Sequence, residues 1–331
     1  MFSQKDNAFN AIRLLLCFMV VFMHAFGHFG ITNKFLLDGH VAVCGFFIIS
    51  GFWITKSYLS SPNLKVFFFK RARKIFPMYY LSVIGFSVLC ALFSTLNAKE
   101  YFSSIEYWKY VFWNCLFLNF VHPSLPALFN GDAVNGALWT IKVEIGFYVI
   151  LPLLLWIYQK LKSSTKQNIF FLTLYILSVA YNLLLKTYAA KWHLPSQLAH
   201  QLPGFISFFI SGMWIYLHYN IFHKVKNYLI IPSLIVYFAH YATHTEILFP
   251  AALAIIIVWS AVQFKCLCNV GKEIDFSWGI YLFHFPIMQI LFYSAKGELN
   301  PYVYALCVLS LSFMLTYSIE KISRLKRTMS R

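Results

Sequence analysis

Apolar stretches long enough to cross a hydrocarbon layer recur from residue 10 almost to the end of the chain, broken by short polar segments. They predict spans near residues 10–28, 38–58, 74–96, 138–158, 168–188, 203–219, 228–243, 246–263, 274–294 and 301–320. The predicted fold class is therefore an all-α polytopic membrane protein, a bundle of about ten transmembrane helices forming one membrane domain over residues 1–331. Residues 108–121 form a shorter apolar patch, expected as an interfacial or re-entrant element rather than an eleventh crossing. The segment around it, about 97–137, is the longest connection and is expected outside. It is long enough either to cover an outward-facing cavity or to act as a structural cap.

Composition agrees with lipid as the solvent. Of 331 residues, 60% are hydrophobic, 20% aromatic and only 11% charged, too few charges for the polar coat of a soluble domain this size. Lys5 before an apolar run imitates a secretory leader. No small-x-small cleavage site lies between residues 20 and 30, and more spans follow, so the segment is expected to stay as the first span. Seven cysteines are scattered, mostly in apolar runs, and Cys266 with Cys268 lacks the second pair of a zinc site, so no metal is expected.

The net charge of +16 raises the question of nucleic acid, and its distribution answers it. With both termini in the cytoplasm, nineteen of the 27 Lys and Arg residues fall on cytoplasmic segments. Six fall outside, and Arg13 and Lys142 lie at or inside spans. This is the positive-inside bias expected beside anionic inner-leaflet lipid. No basic soluble face is left over for nucleic acid, and membrane lipids are the expected surroundings.

A few polar groups interrupt the apolar runs. Arg13 and His24 are eleven residues apart, about 16 Å along a helix and within roughly 20° of the same face. Singly, Arg13 reads as a snorkelling side chain and His24 as an interhelical hydrogen-bonder. On one face they read as the lining of one cavity. The run Gly45 to Phe52 allows close backbone approach, and Ser50 within it can bond across helices. Lys70, Arg71, Arg73 and Lys74 precede a span whose start is expected at Pro77, and serve either as a topology anchor or as a mouth for a phosphorylated ligand. Glu144 lies two residues from Lys142 and faces elsewhere, so it needs a partner from another span or from substrate. His284 sits in an otherwise apolar span beside Trp278, Tyr281 and Pro286, where a structural or cavity-lining role is expected.

Taken in order, these motifs resemble the membrane acyltransferase-3 family. The basic residue, ten residues and His of its first span are Arg13 and His24. Its Phe-rich stretch ending in Ser-Gly is Phe46 to Phe52, and its Arg-x-x-Arg before Ile and Pro is Arg71 to Pro77, with Lys74 replacing arginine and losing the planar fork. Its Trp, Glu, Phe-Tyr, Pro pattern is Trp139, Glu144, Phe147, Tyr148 and Pro152, and its Tyr-Leu-x-His-x-Pro pattern is Tyr281 to Pro286.

The resemblance implies transfer of an acyl group, with acetyl the default, from acetyl-CoA or another acyl-CoA on the cytoplasmic side to a carbohydrate on the outer side. On that expectation His24 is general base or transient acyl carrier, with Arg13 and Glu144 completing the catalytic set. Arg71, Arg73 and Lys74 meet the donor phosphates, and Ser50, Trp139, Tyr148, Tyr281 and His284 line the cavity. Some family members carry an SGNH-type hydrolase domain. None follows residue 320 here, so the membrane domain is expected to act alone or with a separate protein partner. O-antigen, lipooligosaccharide, capsule, exopolysaccharide and secreted oligosaccharide all stay open as acceptors. The bacterial inner membrane is the expected location. The competing class is a transporter or flippase for lipid-linked glycan, and a silent scaffold is the third.

Overall fold

The computed structural model describes residues 7–32, 38–243 and 246–329, so Lys5, Lys34 and Arg331 of the charge distribution lie outside the described residues. Among the described residues every regular element is helical. The longer elements are α1 (Phe9–Gly27), α2 (Gly39–Leu59), α3 (Leu64–Tyr80), α4 (Phe86–Leu89), α5 (Ala98–Ser103), α6 (Ile105–Cys115) and α7 (Trp139–Lys160). They continue with α8 (Ser164–Tyr188), α9 (Leu202–Leu217), α10 (Tyr219–Thr243), α11 (Phe249–Gln263), α12 (Phe276–Ser294) and α13 (Pro301–Met329).

A helix occupies each predicted span. Among the described residues, seven helical stretches are long and apolar enough to cross a membrane, a smaller number than the ten expected. α11 is apolar but has only 15 residues. α10 and α12 have the length, but polar side chains dilute them: His223, Lys224, Lys226 and Asn227 in the first, Ser277, His284 and Gln289 in the second.

The third span corrects the expectation. Its helix begins at Leu64, where Asn63 Oδ1 accepts from the Val66 amide at 3.1 Å, and runs through a π turn at Leu81–Gly85 and α4 to a tight turn ending at Leu92. An asparagine cap and an aromatic first turn suffice to start a helix before the hydrophobic run does. The basic residues therefore lie inside the helix, and Pro77 is interior to it rather than at its first turn.

The contacts divide the chain into two compact units. The first comprises residues up to Ile12, Val41–Arg71 and Val143–Val270. Within it α2 and α9 touch backbone to backbone. A Cβ on Gly51 would overlap the Phe209 carbonyl, and one on Gly212 would overlap the Ile48 carbonyl. Such approach gains dispersion where lipid supplies no hydrophobic drive. Beside this seam Phe147 stacks on Phe209 with ring centres 4.3 Å apart, and Phe47 sets its edge against Phe147 and Phe205.

The second unit comprises Arg13–His40, Ala72–Lys142 and Gly271–Arg331. Here the 97–137 connection folds on its own caps. Asn97 and Glu100 form a capping box on α5, and Ser104 caps α6. α6 has 11 residues, about 16 Å of rise, half a hydrocarbon core. Asn114 donates to the Tyr110 and His122 carbonyls, and the buried Tyr79 of α3 donates to the Asn114 carbonyl at 2.7 Å. Left-handed residues at Ala127, Phe129, Asn130 and Gly131 then turn the chain along α12, where Gln289 donates to the Ala133 carbonyl and Tyr293 to Asp132, both at 2.7 Å.

Candidate functional site

The site is built on α1 and α12 of the second unit, whose side chains meet in matching chain order. Arg13 of α1 lies 3.9 Å from Asp275, just before α12. Cys17 donates to the Ser277 carbonyl, and His24 reaches His284. The order requires the two helices to run in the same direction. Arg13 and His24 do share one face, as their spacing requires, and that face is turned to α12.

His24 Nδ1 is 3.0 Å from His284 Nε2, with the ring planes 7° apart. His284 is fully buried, whereas His24 is half-buried. Phe285 sets its edge against the His24 ring, with centres 5.1 Å apart. The helix holding His284 is pinned by its neighbours. Pro286 has no amide hydrogen, which frees the Leu282 carbonyl four residues back. Asn135 Nδ2 donates to that carbonyl at 2.9 Å, and Ser82 Oγ, from the π turn, at 3.0 Å. Tyr281 places its hydroxyl 2.8 Å from Thr140 Oγ1, and Thr140 donates to the Ala137 carbonyl at 3.0 Å.

At the other end of the α1 face, Asp275 is also 3.9 Å from Lys74 of α3, so one carboxylate joins two of the predicted cations. Burial works against its charge. Lys74, Arg13 and the Ser277 hydroxyl outweigh it and hold the carboxyl below its usual range. Asp275 was missed in the sequence because it stands at the very edge of the predicted span 274–294, where an acid is ordinary, and the structure places it in the connection just before α12. The one available signal was its place immediately before an apolar helix bearing a histidine.

The predicted residues divide between the units. The second holds Arg13, His24, Arg73, Lys74, Trp139, Tyr281 and His284. Of these the structure joins His24 with His284 and Arg13 with Lys74, while Arg73 is exposed, Trp139 half-buried and Tyr281 buried. The first holds Ser50, Arg71, Glu144 and Tyr148. Ser50 donates a short hydrogen bond to Glu144, which joins α2 to α7. Arg71 stands 5.9 Å from the Tyr148 ring centre and 3.4 Å from Ser57 Oγ. Lys142 rests over the Phe120 ring at 4.5 Å. Among the described residues no group of three or more His, Cys, Asp or Glu side chains converges as a metal site would.

The acyltransferase domain model of the acyltransferase-3 family matches residues 6–321. The chain is 26% identical to an O-acetyl transferase of Shigella phage Sf6, over 96% of each protein. It is 28% identical to nodulation protein 10 of Rhizobium leguminosarum bv. viciae over 175 residues, 49% of this chain and 47% of that protein. No solved structure matches the chain. A family domain over nearly the whole length, on helices apolar enough to span lipid, makes the chain a member of the acyltransferase-3 family and an integral membrane O-acyltransferase.

Proposed function

We propose that the protein transfers an acetyl group from acetyl-CoA to a hydroxyl of a cell-surface or lipid-linked carbohydrate, with His24 as the general base. The observation that carries this reading is the half-buried His24 ring held at 3.0 Å by a fully buried second imidazole, which leaves its far nitrogen for substrate. The phage relative, named an O-acetyl transferase, supports acetyl as the group moved.

In the proposed reaction His24 Nε2 takes the proton of the acceptor hydroxyl as its oxygen attacks the thioester carbonyl. The new O–C bond forms and the C–S bond breaks. The coenzyme A thiolate leaves and recovers the proton from the imidazolium. Arg13, on the same helix face but about 16 Å along it, is the candidate for meeting negative charge on the donor. The basic residues of α3, Arg71, Arg73 and Lys74, are the candidates for the donor's phosphates. A transient acyl-imidazole would use the same His24 nitrogen and give the same product.

The proposed setting is the bacterial inner membrane. The chain crosses ten times with both termini in the cytoplasm, the acyl-CoA arrives from that side, and the carbohydrate is on the other. The parallel run of α1 and α12 supports this topology, since the first and ninth of ten spans point the same way.

The test is consumption of labelled acetyl-CoA by the purified protein, dependent on glycan. Mass spectrometry of surface glycans from cells with and without the protein then identifies the acceptor. An added acetyl mass on one glycan is the expected result. Glycan translocation without acetyl-CoA consumption would establish the flippase instead.

A further inference from the structure

We infer that His284 is a positioning residue that fixes the tautomer of His24 and aims its basic nitrogen away from α12. The inference rests on the reading of His24 as the base. It follows from which atoms can donate.

His284 Nδ1 lies 2.8 Å from the Tyr281 carbonyl oxygen and 3.3 Å from that of Ile280. Carbonyl oxygens only accept, so Nδ1 carries the ring hydrogen. In a neutral imidazole Nε2 is then an acceptor. The atom 3.0 Å from it is His24 Nδ1, which must therefore be the donor. The chain of hydrogen bonds runs from His24 through His284 to the Tyr281 carbonyl, and it ends with the lone pair of His24 Nε2 unprotonated. A free histidine side chain favours the opposite tautomer, with hydrogen on Nε2, and that form has no base at the outward nitrogen.

The surroundings make the relay rigid. The Leu282 carbonyl freed by Pro286 is taken by Asn135 and Ser82, and the Tyr281 hydroxyl meets Thr140, so the turn carrying His284 is held on both sides. His284 is 0% exposed and cannot itself meet a substrate. The arrangement has the logic of a hydrolase triad in which an orienting partner selects the tautomer of the catalytic histidine. Here a neutral imidazole anchored on a backbone carbonyl does the work of a carboxylate. It thereby avoids burying a charge in the bundle.

Two His284 variants test this. His284→Leu keeps the bulk and removes the acceptor, whereas His284→Gln keeps an acceptor near the same point. Nitrogen-15 spectra of labelled protein in lipid nanodiscs report directly which His24 nitrogen bears hydrogen. The expected wild-type pattern is a protonated Nδ1 and an unprotonated Nε2, kept in His284→Gln and lost in His284→Leu. Alongside it, kcat should fall by on the order of 10²-fold or more in His284→Leu with KM for acetyl-CoA little changed, and recover largely in His284→Gln. A merely structural histidine pair would instead change thermal stability in both variants and leave the tautomer alone.

Hydrogen on Nε2 in the wild-type protein, or a His284→Leu enzyme within about threefold of normal kcat, overturns the inference. The spectra need no turnover. The expected tautomer in a protein that transfers no acetyl group would therefore overturn the proposed function while supporting the pairing.

Discussion

The carboxylate of Asp275 lies 3.9 Å from the guanidinium of Arg13, and the same oxygen lies 3.9 Å from the Lys74 ammonium. One acid thus bridges α1 and α3 at the start of α12. Because the folded state holds this carboxyl below its ordinary range, its stabilisation is complete above the unfolded value of about 3.9 and is lost as pH falls through the lower folded value. Melting of the detergent-solubilised protein should therefore weaken over that acid window. Asp275→Asn should flatten the dependence and cost about 1–2 kcal/mol at neutral pH, discounted because the side chain is 31% exposed. Equal acid sensitivity in both proteins would show that other carboxylates govern it.

His24→Ala should abolish acetyl transfer while leaving membrane insertion and the elution profile intact. A variant that keeps near-normal transfer would remove His24 from the chemistry. Arg13→Lys preserves the charge but loses the fork, and should lose most of the activity if two contacts to the donor are made at once. Steady-state rates at saturating acetyl-CoA separate this from a role in topology alone, which Lys would fulfil.

Asn135 and Ser82 serve a carbonyl that Pro286 has freed, which predicts a coupling between distant positions. Asn135→Ala should destabilise by about 1–3 kcal/mol because a buried acceptor loses a donor. Pro286→Ala restores an amide hydrogen to the Leu282 carbonyl, so the double variant should recover part of that loss. Strictly additive melting shifts across the four proteins would rule out the shared carbonyl.

The seam of α2 and α9 should be intolerant of any Cβ. Gly51→Ala places a methyl group on the Phe209 carbonyl, and backbone cannot yield as a side-chain tip can. The cost should be about 1–3 kcal/mol or more, seen as a lower melting temperature and lower yield. Gly27→Ala, with nothing within 4 Å of the added atom, is the matched control and should be nearly neutral.

Local rules made much of this protein legible. Long apolar runs placed a helix in each expected span, because in lipid a backbone must satisfy its own hydrogen bonds. Helical periodicity put Arg13 and His24 on one face, since the relation between two residues of one helix depends only on their spacing. Ordered motifs over most of the chain carried the family and, with it, the reaction class.

Tertiary structure decided the partners. His284 is 260 residues from His24, and Asp275 is further still from Arg13 than any local pattern reaches. Glu144 needed a partner by its charge, but that this is Ser50 depends on how α2 lies against α7. The start of α3 was misplaced because hydropathy marks where a helix becomes apolar, while a cap such as Asn63 marks where it begins. Sequence alone thus determined which residues are costly to bury in a lipid-embedded helix. The fold determined which of them meet, because pairing across helices is set by packing and not by spacing along the chain.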